Sequence, residues 1–167
     1  MRDPINIRQS ELKLRFIKPI KLAFIRARGA YAHSVGEAWE KMFDWIERRG
    51  HALTGGYGLA HDDPRATLTA KMRYDACVEI PSTWGAADLQ FVQVATFDGG
   101  SFAVQRYRGP YSNIGQVISN TRREMLPKTN LALDRHRPIL CVYHHDPRTV
   151  EPRDLETDVC LPVRADP

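Results

Sequence analysis

An internal duplication is the feature of this sequence that most restricts its possible folds. Residues 23–31 have the sequence AFIRARGAY and residues 103–111 have AVQRYRGPY, which share five of nine residues at an offset of 80 (103 minus 23). Two more motifs recur in the same order at an offset of 83 (148 minus 65): HDDPR, ending at Arg65, returns as HHDPR, ending at Arg148, and DAC returns as DVC. This self-similarity predicts two copies of one supersecondary unit that bury a shared core.

The first copy opens with a pattern that predicts a strand followed by a helix. Residues 21–28 have alternating side chains and stop at Gly29, as expected for a strand that ends in a turn. Ser34 is followed three residues later by Glu37, which is the spacing of a capping box, and apolar residues then recur at helical intervals as far as Gly50. The spacing therefore predicts an amphipathic helix that starts after Ser34 and closes at Gly50.

Two further strands complete each predicted unit. Residues 58–61 and 73–80 are separated by the DDPR segment, in which aspartate and proline favour a turn. The second copy is expected to follow the same order, with a strand through Tyr107, a helix over 113–125 and strands over 140–144 and 157–163. The repeating unit is thus predicted to be strand, helix, strand, strand.

The length fits one compact domain. A chain of 167 residues buries roughly two-thirds of its unfolded surface, so it needs no disulfide or metal to form a core. We expect a single domain over residues 17–163, with repeat one over 17–81 and repeat two over 89–163, and we expect residues 1–16 to be an N-terminal extension or linker remnant. The remaining length is too short for a helix-turn-helix module, so we do not expect the chain to be a transcription factor by itself.

Charge and cysteine usage narrow the functional class. The formal net charge is only +4 and the arginines are scattered, so no continuous stripe for tracking phosphates is visible and we expect no direct nucleic-acid binding. The three cysteines form no C-x-x-C pair, which favours a reducing compartment. No apolar segment approaches the ~18 residues of a membrane span, so we expect a cytoplasmic protein with no membrane partner.

The duplicated R-x-R-G-x-Y motif, the HDDPR turn and the run KMRYDACVEIP together resemble the GyrI-like effector-binding domains. The resemblance covers residues 17–163. This family includes the ligand-sensing C-terminal domains of AraC-type regulators, the multidrug-sensing domains of MerR-type regulators and the stand-alone DNA gyrase inhibitory proteins. The resemblance implies an α+β fold in which two strand-helix-strand-strand units pair about a pseudo-twofold axis, with antiparallel sheets forming a groove and helices packed on them.

A pocket for an amphipathic, often cationic, small molecule between the two units is also implied by the resemblance, with no cofactor. One position departs from the family pattern. Many members carry a buried glutamate two residues before a tyrosine on the strand that precedes the second D-P turn, and this chain has Cys141 at that position, before Tyr143. A thiol attracts a desolvated cation far less than a carboxylate does. We therefore expect a neutral or amphipathic ligand at least as much as a cationic one.

The candidate ligand contacts are mainly aromatic. Tyr31 and Tyr111 follow the turn glycine of each repeat and either face the groove or pack on the helix start. Trp39 lies on the predicted first helix and lines the groove or joins the core. Tyr74 and Tyr143 lie on predicted strands, and period-two alternation places Cys141 on the same strand face as Tyr143. The six candidate ligand-binding residues are Tyr31, Trp39, Tyr74, Tyr111, Cys141 and Tyr143.

No residue pattern indicates catalysis or metal binding. His144 and His145 are neighbours on a strand, so their side chains point to opposite faces and do not easily share one ion. Cys141 has no identifiable general base beside it. We therefore expect no catalytic residues, no metal and no cofactor. The function predicted first is a small-molecule effector domain of a regulatory or drug-sensing module, working with a separate DNA-binding regulator. A gyrase-inhibitor-like interaction module and, less favoured, a small-molecule hydrolase are the alternatives.

Overall fold

The computed structural model describes residues 11–53 and 55–165, and the expectations for residues 1–10 lie outside the described residues. Within these ranges the chain forms nine strands and two α-helices. In chain order they are β1 (Lys13–Ile17), β2 (Ile20–Arg28), α1 (Tyr31–Arg49), β3 (Gly56–Ala60), β4 (Arg73–Glu79), β5 (Gln93–Phe97), β6 (Gly100–Arg108), α2 (Ile114–Asn120), β7 (Leu131–Leu133), β8 (Ile139–Tyr143) and β9 (Glu156–Ala165).

The strands form one antiparallel sheet with the order β1-β6-β9-β8-β3-β4-β2-β5, and β7 pairs with β9. At the centre of the sheet, Gly58 of β3 lies opposite Cys141 of β8. The offset of 83 between the repeats maps Gly58 onto Cys141 itself, so the pseudo-twofold axis passes through this pair. The α+β fold of two paired units is confirmed, and the sheets of the two units are continuous.

Each unit also contains a first strand that the sequence pattern did not reveal. Strand β1 pairs with β6 of the second unit, and β5 pairs with β2 of the first unit, so the two units exchange their first strands. Lys13 and Gln93, which begin these strands, differ by the same offset of 80 (93 minus 13). The sheet therefore begins at Lys13, inside the segment 1–16 that was expected to be an extension. The exchange gives β6 and β2 partners along edges that would otherwise expose unpaired backbone groups.

The sheet curls into a half-barrel because of two short connections. Residues 18–19 join the edge strand β1 to β2, and residues 98–99 join the opposite edge strand β5 to β6. These connections bring the two edges towards each other, and Phe97 and Phe102 meet on the inside with ring centroids 5.9 Å apart. The inner face carries its own core, formed by Leu22, Leu59, Cys77, Phe97, Phe102, Val104, Leu140 and Cys160. The opposite face, called the helix face below, carries α1 and α2.

Helix α1 packs across β2 and β4 through Ala38, Met42 and Ile46. It ends at Arg49, and Gly50 adopts a left-handed conformation with φ of 66°, as the sequence predicted. The predicted start was wrong. The helix begins at Tyr31, and Ser34 is buried inside it without capping any backbone group. The hydroxyl of Tyr31 bonds the backbone of the HDDPR turn and of β4, which fixes the first helical turn against the sheet before Ser34 is reached.

The second helical region spans residues 111–128 but is irregular. A 3₁₀ turn (Tyr111–Asn113) leads into α2, and α2 widens into a π-helical turn (Thr121–Met125) before a second 3₁₀ turn that contains Pro127. The predicted helix over 113–125 is therefore present, with only its first part in α geometry. Proline ends the run because it lacks the N–H that a helix interior requires. No helix in the described part of the chain is both long and apolar enough to cross a membrane.

Candidate ligand-binding pockets

A groove runs between α1 and α2 along the helix face, with β3 and β8 as its floor. Its floor is low at the centre because β3 contributes Gly58 there. A Cβ atom on Gly58 would lie 2.7 Å from the hydroxyl of Tyr143 and closer still to that of Tyr74. Only glycine leaves room for the two hydroxyl groups, which meet directly above this residue. The tyrosine pair thus occupies the middle of the groove and divides it into two pockets.

The tyrosine pair is part of a hydrogen-bonded chain. Trp39 Nε1 donates to Tyr74 Oη at 2.8 Å, and Tyr74 Oη lies 2.9 Å from Tyr143 Oη. Because Tyr74 Oη already accepts a hydrogen bond from the indole N–H, its own O–H is free to donate to Tyr143 Oη. Burial raises the pKa of both tyrosines well above the usual value, so both hydroxyls stay protonated. These three hydrogen-bonded side chains carry no charge, and they link helix α1 to both units of the sheet.

The first pocket, called the aromatic pocket, has a volume of about 230 Å³. Its walls include Trp39 and Phe43 from α1 and Tyr111 and Tyr143 from the second unit. The Trp39 ring meets the Tyr143 ring edge-on at 5.6 Å between centroids, and Tyr111 lies 5.0 Å from Tyr143. Leu53, Gly56, Val35, Gly36, His145 and Pro147 complete the lining. No described lining residue is a carboxylate, so the pocket offers mainly ring faces to a ligand.

One polar group in the aromatic pocket lacks a partner. The hydroxyl of Tyr111 is buried, and no group in the described part of the chain lies within hydrogen-bonding distance of it. Burial raises the pKa of Tyr111 to about 12, with smaller contributions from the charge of Asp146 and from Cys141, so the hydroxyl keeps its proton at neutral pH. A buried hydroxyl without a partner costs stability, and a polar ligand atom in the pocket would satisfy it.

The second pocket, called the arginine pocket, is the pseudo-twofold counterpart of the first and has a volume of about 200 Å³. Tyr31 takes the place of Tyr111, and the turn of HDDPR takes the place of the turn of HHDPR. Helix α2 and its π-helical turn supply Ile118 and Arg122 where α1 supplies Trp39 and Phe43. Each pocket therefore combines the helix of one unit with the tyrosine and turn of the other.

Comparison with known families identifies the family to which this chain belongs. The family model described as the GyrI-like small molecule binding domain matches residues 10–164. The chain belongs to the GyrI-like family. This confirms the resemblance inferred from the motifs and extends it by seven residues beyond the expected start at residue 17 (17 minus 10). The GyrI-like domain is also similar to the probable transcriptional regulator YgiV of Escherichia coli strain K12, with 31% identity over 108 residues. That match covers 64% of this chain and 66% of YgiV, just under two thirds of its length.

Solved structures with the same fold are more distant in sequence. The C-terminal domain of EcmrR has a TM-score of 0.69 at 11% identity, covering 96% of this chain and 99% of that one. SAV2435 bound to tetraphenylphosphonium has a TM-score of 0.63 at 16% identity, covering 93% and 94%. A hydrolase from Listeria innocua has a TM-score of 0.59 at 15% identity, covering 92% of both chains. These likenesses establish the fold of the GyrI-like domain. None of these names refers to gyrase, so the gyrase-inhibitor alternative gains no support from them.

The structure brings five of the six predicted ligand-binding residues together. Trp39, Tyr111 and Tyr143 line the aromatic pocket, and Tyr74 reaches it through the hydrogen bonds of its hydroxyl. Cys141 lies on the same face of β8 as Tyr143, as period-two alternation predicted, but it is buried beneath the ring and does not line the cavity. The sixth residue, Tyr31, lines the arginine pocket instead.

Cys141 occupies an apolar setting within the GyrI-like domain. Burial raises the pKa of its thiol to about 12, and a hydrogen bond with Tyr143 lowers the pKa only in part. The thiol is therefore protonated at neutral pH and supplies neither a charge to a cationic ligand nor a reactive thiolate. Cys141 therefore places no negative charge next to Tyr143.

Several pocket residues were not identified from the sequence. Phe43 was not among the predicted contacts, because aromatic residues at helical spacing usually pack in the core, and Leu53, His145 and Pro147 lie in loops or turns without a chemical pattern. The duplication contained a usable signal for the last two, since the HDDPR and HHDPR turns recur at a fixed offset. Each turn covers one end of the groove.

A pair of symmetric polar clusters lies on the inner face of the sheet, away from both helices. Asp75 accepts two hydrogen bonds from Arg26, at 2.7 and 3.0 Å, and lies 2.6 Å from His61 Nε2. Asp158, Arg106 and His144 repeat this arrangement in the second unit. Arg26 and Arg106, which occupy equivalent positions in the duplicated motif, thus form equivalent ion pairs in the two units. No group of three or more histidine, cysteine or acidic residues among residues 11–53 and 55–165 is arranged to hold a metal ion.

Proposed function

We propose that this GyrI-like domain binds a neutral or amphipathic small molecule in the aromatic pocket and serves as the effector-sensing part of a cytoplasmic regulatory system. The observation that carries the proposal is the cavity of about 230 Å³, which is lined by aromatic rings including that of Tyr111 and has no carboxylate among its described lining residues. The hydroxyl of Tyr111 is buried and lacks a partner within the described chain. A ligand with apolar rings and one hydrogen-bond acceptor fits both features. The rings would pack on Trp39 and Phe43, and the acceptor would accept a hydrogen bond from the Tyr111 hydroxyl.

Charge at the pocket favours a ligand without a positive charge. Arg148 lies over the Phe43 ring, with its guanidinium carbon 4.5 Å from the centroid, so that ring already contacts a cation. Cys141 beneath the floor is neutral. SAV2435 binds tetraphenylphosphonium, a cation, but the GyrI-like domain described here has no carboxylate among the described residues of its aromatic pocket. Ring faces alone would give a cation about 0.5 to 2 kcal/mol each.

Regulation rather than catalysis is the output that these features support. YgiV is named a probable transcriptional regulator, and the fold matches a domain of EcmrR. A separate DNA-binding regulator would be the partner of the GyrI-like domain. The Listeria innocua structure is named a hydrolase, so catalysis needs a test of its own. A thiol with a pKa of about 12 is a poor nucleophile, and hydrolysis at this pocket that is lost in Cys141→Ser would reverse the assignment.

The experiment uses a matched pair of probes in isothermal titration calorimetry. Triphenylphosphine oxide is neutral and carries one strong acceptor, whereas tetraphenylphosphonium is cationic and has none. We expect the oxide to bind more tightly. Tyr111→Phe should weaken binding of the oxide by about 2- to 12-fold, the value of one hydrogen bond of 0.5 to 1.5 kcal/mol, and leave the phosphonium unchanged.

Trp39→Ala should weaken binding of both probes, because it removes a ring from the pocket wall. At a concentration of 100 times its dissociation constant, a bound probe should also raise the free energy of unfolding by about 2.7 kcal/mol. If Tyr111→Phe binds the oxide as tightly as the wild type does, the Tyr111 hydroxyl does not contribute to binding. Failure of both probes and of a broad panel of aromatic compounds would overturn the proposal itself.

A further inference from the structure

The arginine pocket differs chemically from its symmetric counterpart. The arginine pocket contains guanidinium groups, which the described lining residues of the aromatic pocket lack. Four arginines lie among its described lining residues, namely Arg65, Arg122, Arg135 and Arg137. Three of these arginines, Arg122, Arg135 and Arg137, lie outside the repeated tyrosine and turn motifs that the two pockets share. A concentration of cations around a cavity of about 200 Å³ is the observation to be explained.

The acidic residues of the arginine pocket are already occupied. Asp63 pairs with Arg65 at 3.0 Å, and Asp134 pairs with Arg137 at 2.9 Å. The third carboxylate, Asp62, forms an ion pair at 3.0 Å with Arg73 of β4, which does not line the pocket. Every carboxylate among the described lining residues of the arginine pocket is therefore already in an ion pair.

Arg122 and Arg135 are left over from this pairing. Within residues 11–53 and 55–165, no carboxylate forms an ion pair with either side chain. Arg122 Nε is buried and has no acceptor in the described chain. Burial lowers the pKa of Arg122, and repulsion from Arg65 lowers it further. A buried donor without an acceptor costs about 1 to 3 kcal/mol, so this arrangement has a cost that a bound anion would offset.

The backbone around Arg122 is unusual in the same place. Arg122 lies in the π-helical turn Thr121–Met125, where the helix widens. Such turns are rare and often occur at functional sites, because the extra residue per turn redirects a side chain. Here the turn carries Arg122, which lines the cavity.

The remaining wall of the arginine pocket is mainly apolar, apart from His61, whose Nε2 lies 2.6 Å from Asp75. Ile118, Leu133, Ile139 and Pro162 line it, together with the ring of Tyr31. An inorganic ion would leave this surface without a partner, whereas an organic anion would cover it. We propose that the arginine pocket binds the anionic head group of a small amphipathic molecule, such as an aryl sulfonate or carboxylate, between Arg122 and Arg135, with its apolar body against Ile118 and Leu133. This site is separate from the aromatic pocket and does not depend on the function proposed for it.

The test compares naphthalene-2-sulfonate with its neutral analogue, naphthalene-2-sulfonamide, by isothermal titration calorimetry at low salt. Hydrogen bonds to charged groups are worth about 1.5 to 3 kcal/mol, so we expect the sulfonate to bind at least about tenfold more tightly than the sulfonamide. Arg122→Gln should abolish this preference. Raising the salt concentration to about 0.5 M should weaken binding of the sulfonate more than binding of the sulfonamide.

The matched control is Arg123→Gln. Arg123 is the exposed neighbour of Arg122; it lines an adjoining cleft with Arg122 and Arg135 but not the arginine pocket itself, so its substitution removes the same net charge close to the site without removing the proposed contact. It should change the affinity for the sulfonate by less than about twofold, the size expected for a screened surface charge. Arg135→Gln, at the exposed rim, serves as a second variant that carries little risk to folding, and it should weaken the sulfonate but not the sulfonamide. Tyr111→Phe should leave sulfonate binding unchanged.

Three results would overturn the proposal. Equal affinity of the wild type for the two naphthalene probes would show that no anion is recognised. Equal losses in Arg122→Gln and Arg123→Gln would show that only the general surface potential matters. Arg122-dependent binding of a double-stranded DNA oligonucleotide, with no binding of naphthalene-2-sulfonate, would assign the arginines to nucleic-acid contact instead.

Discussion

Substitution of Gly58 tests the physical origin of the divided groove most directly. In Gly58→Ala the new Cβ would lie 2.7 Å from Tyr143 Oη and nearer to Tyr74 Oη, with Tyr74 Cε2 at 3.1 Å. Neither ring retreats easily. Tyr74 Oη is held by Trp39 at 2.8 Å, and the Tyr143 ring lies between Trp39 and Tyr111. The substitution therefore forces the two hydroxyls apart.

Two losses and one gain determine the expected change in the free energy of unfolding. Overpacking of a well-packed site costs about 1 to 3 kcal/mol, and weakening the hydrogen bond between the tyrosines costs about 0.5 to 1.5 kcal/mol. Replacing glycine in a strand returns about 0.5 to 1 kcal/mol, because alanine has less freedom in the unfolded chain. We expect a net loss of about 2 kcal/mol in the free energy of unfolding. For a chain of this length, the melting temperature should fall by about 4 to 8 °C.

Urea unfolding of a double-mutant cycle separates this cause from a general intolerance of the strand. Tyr74→Phe removes the nearest hydroxyl, so Gly58→Ala should cost about 1 kcal/mol less in that background than in the wild type. Gly36→Ala is the matched control, because the position is exposed in α1 and a Cβ there meets nothing within 4 Å. It should stabilise the protein by about 0.5 to 1 kcal/mol. If Gly58→Ala costs the same in both backgrounds, the hydroxyl pair is not the reason for glycine at this position.

Further predictions concern buried charges and thiols. Asp75→Asn should lower the free energy of unfolding in urea by about 2 to 4 kcal/mol at pH 7, because it leaves the partly buried Arg26 without its anion. Asp158→Asn should cost less, because Arg106 is exposed and keeps a second carboxylate, Glu156, at 3.6 Å. Burial raises the pKa of Asp75, but hydrogen bonds from His61 and Arg26 outweigh it and hold the pKa below the usual value. This stabilisation is therefore complete above about pH 4 and is lost as the pH falls through the folded-state pKa, so melting temperatures between pH 7 and pH 3 should decline less steeply for Asp75→Asn than for the wild type. Burial raises the pKa of all three cysteine thiols, so a thiol reagent at pH 8 should label the native protein far more slowly than the urea-unfolded protein, and fast labelling of the native state would contradict their burial.

The duplication allowed the overall fold to be predicted, because repeated motifs report two copies of a unit whatever their detailed packing. The Gly50 helix end and the shared face of Cys141 and Tyr143 were also predicted, since both depend on local geometry. The start of α1 was not. Ser34 has a capping sequence, but tertiary hydrogen bonds of Tyr31 fix the first turn three residues earlier, and no local pattern contains that information.

The exchanged strands were missed for a different reason. Residues 13–17 and 93–97 share no identical residue at the offset of 80, although both have apolar side chains at their second and fifth positions. Neither segment has the pattern of a buried strand, because most of the side chains are exposed at the sheet edges. Their pairing partners, β6 and β2, lie in the opposite unit. Such non-local pairing is set by the whole sheet and leaves only a weak trace in either segment.

The exchange of parts between units explains how one duplication yields two chemically different pockets. Each pocket takes its helix from one unit and its tyrosine and turn from the other, so neither unit contains a complete pocket by itself. The tyrosines and turns are the repeated motifs, and they keep both pockets similar in outline. The helix faces have diverged, with Trp39 and Phe43 on one side and Ile118 and Arg122 on the other. Substitutions on one helix should therefore change the ligand preference of one pocket and leave that of the other unchanged.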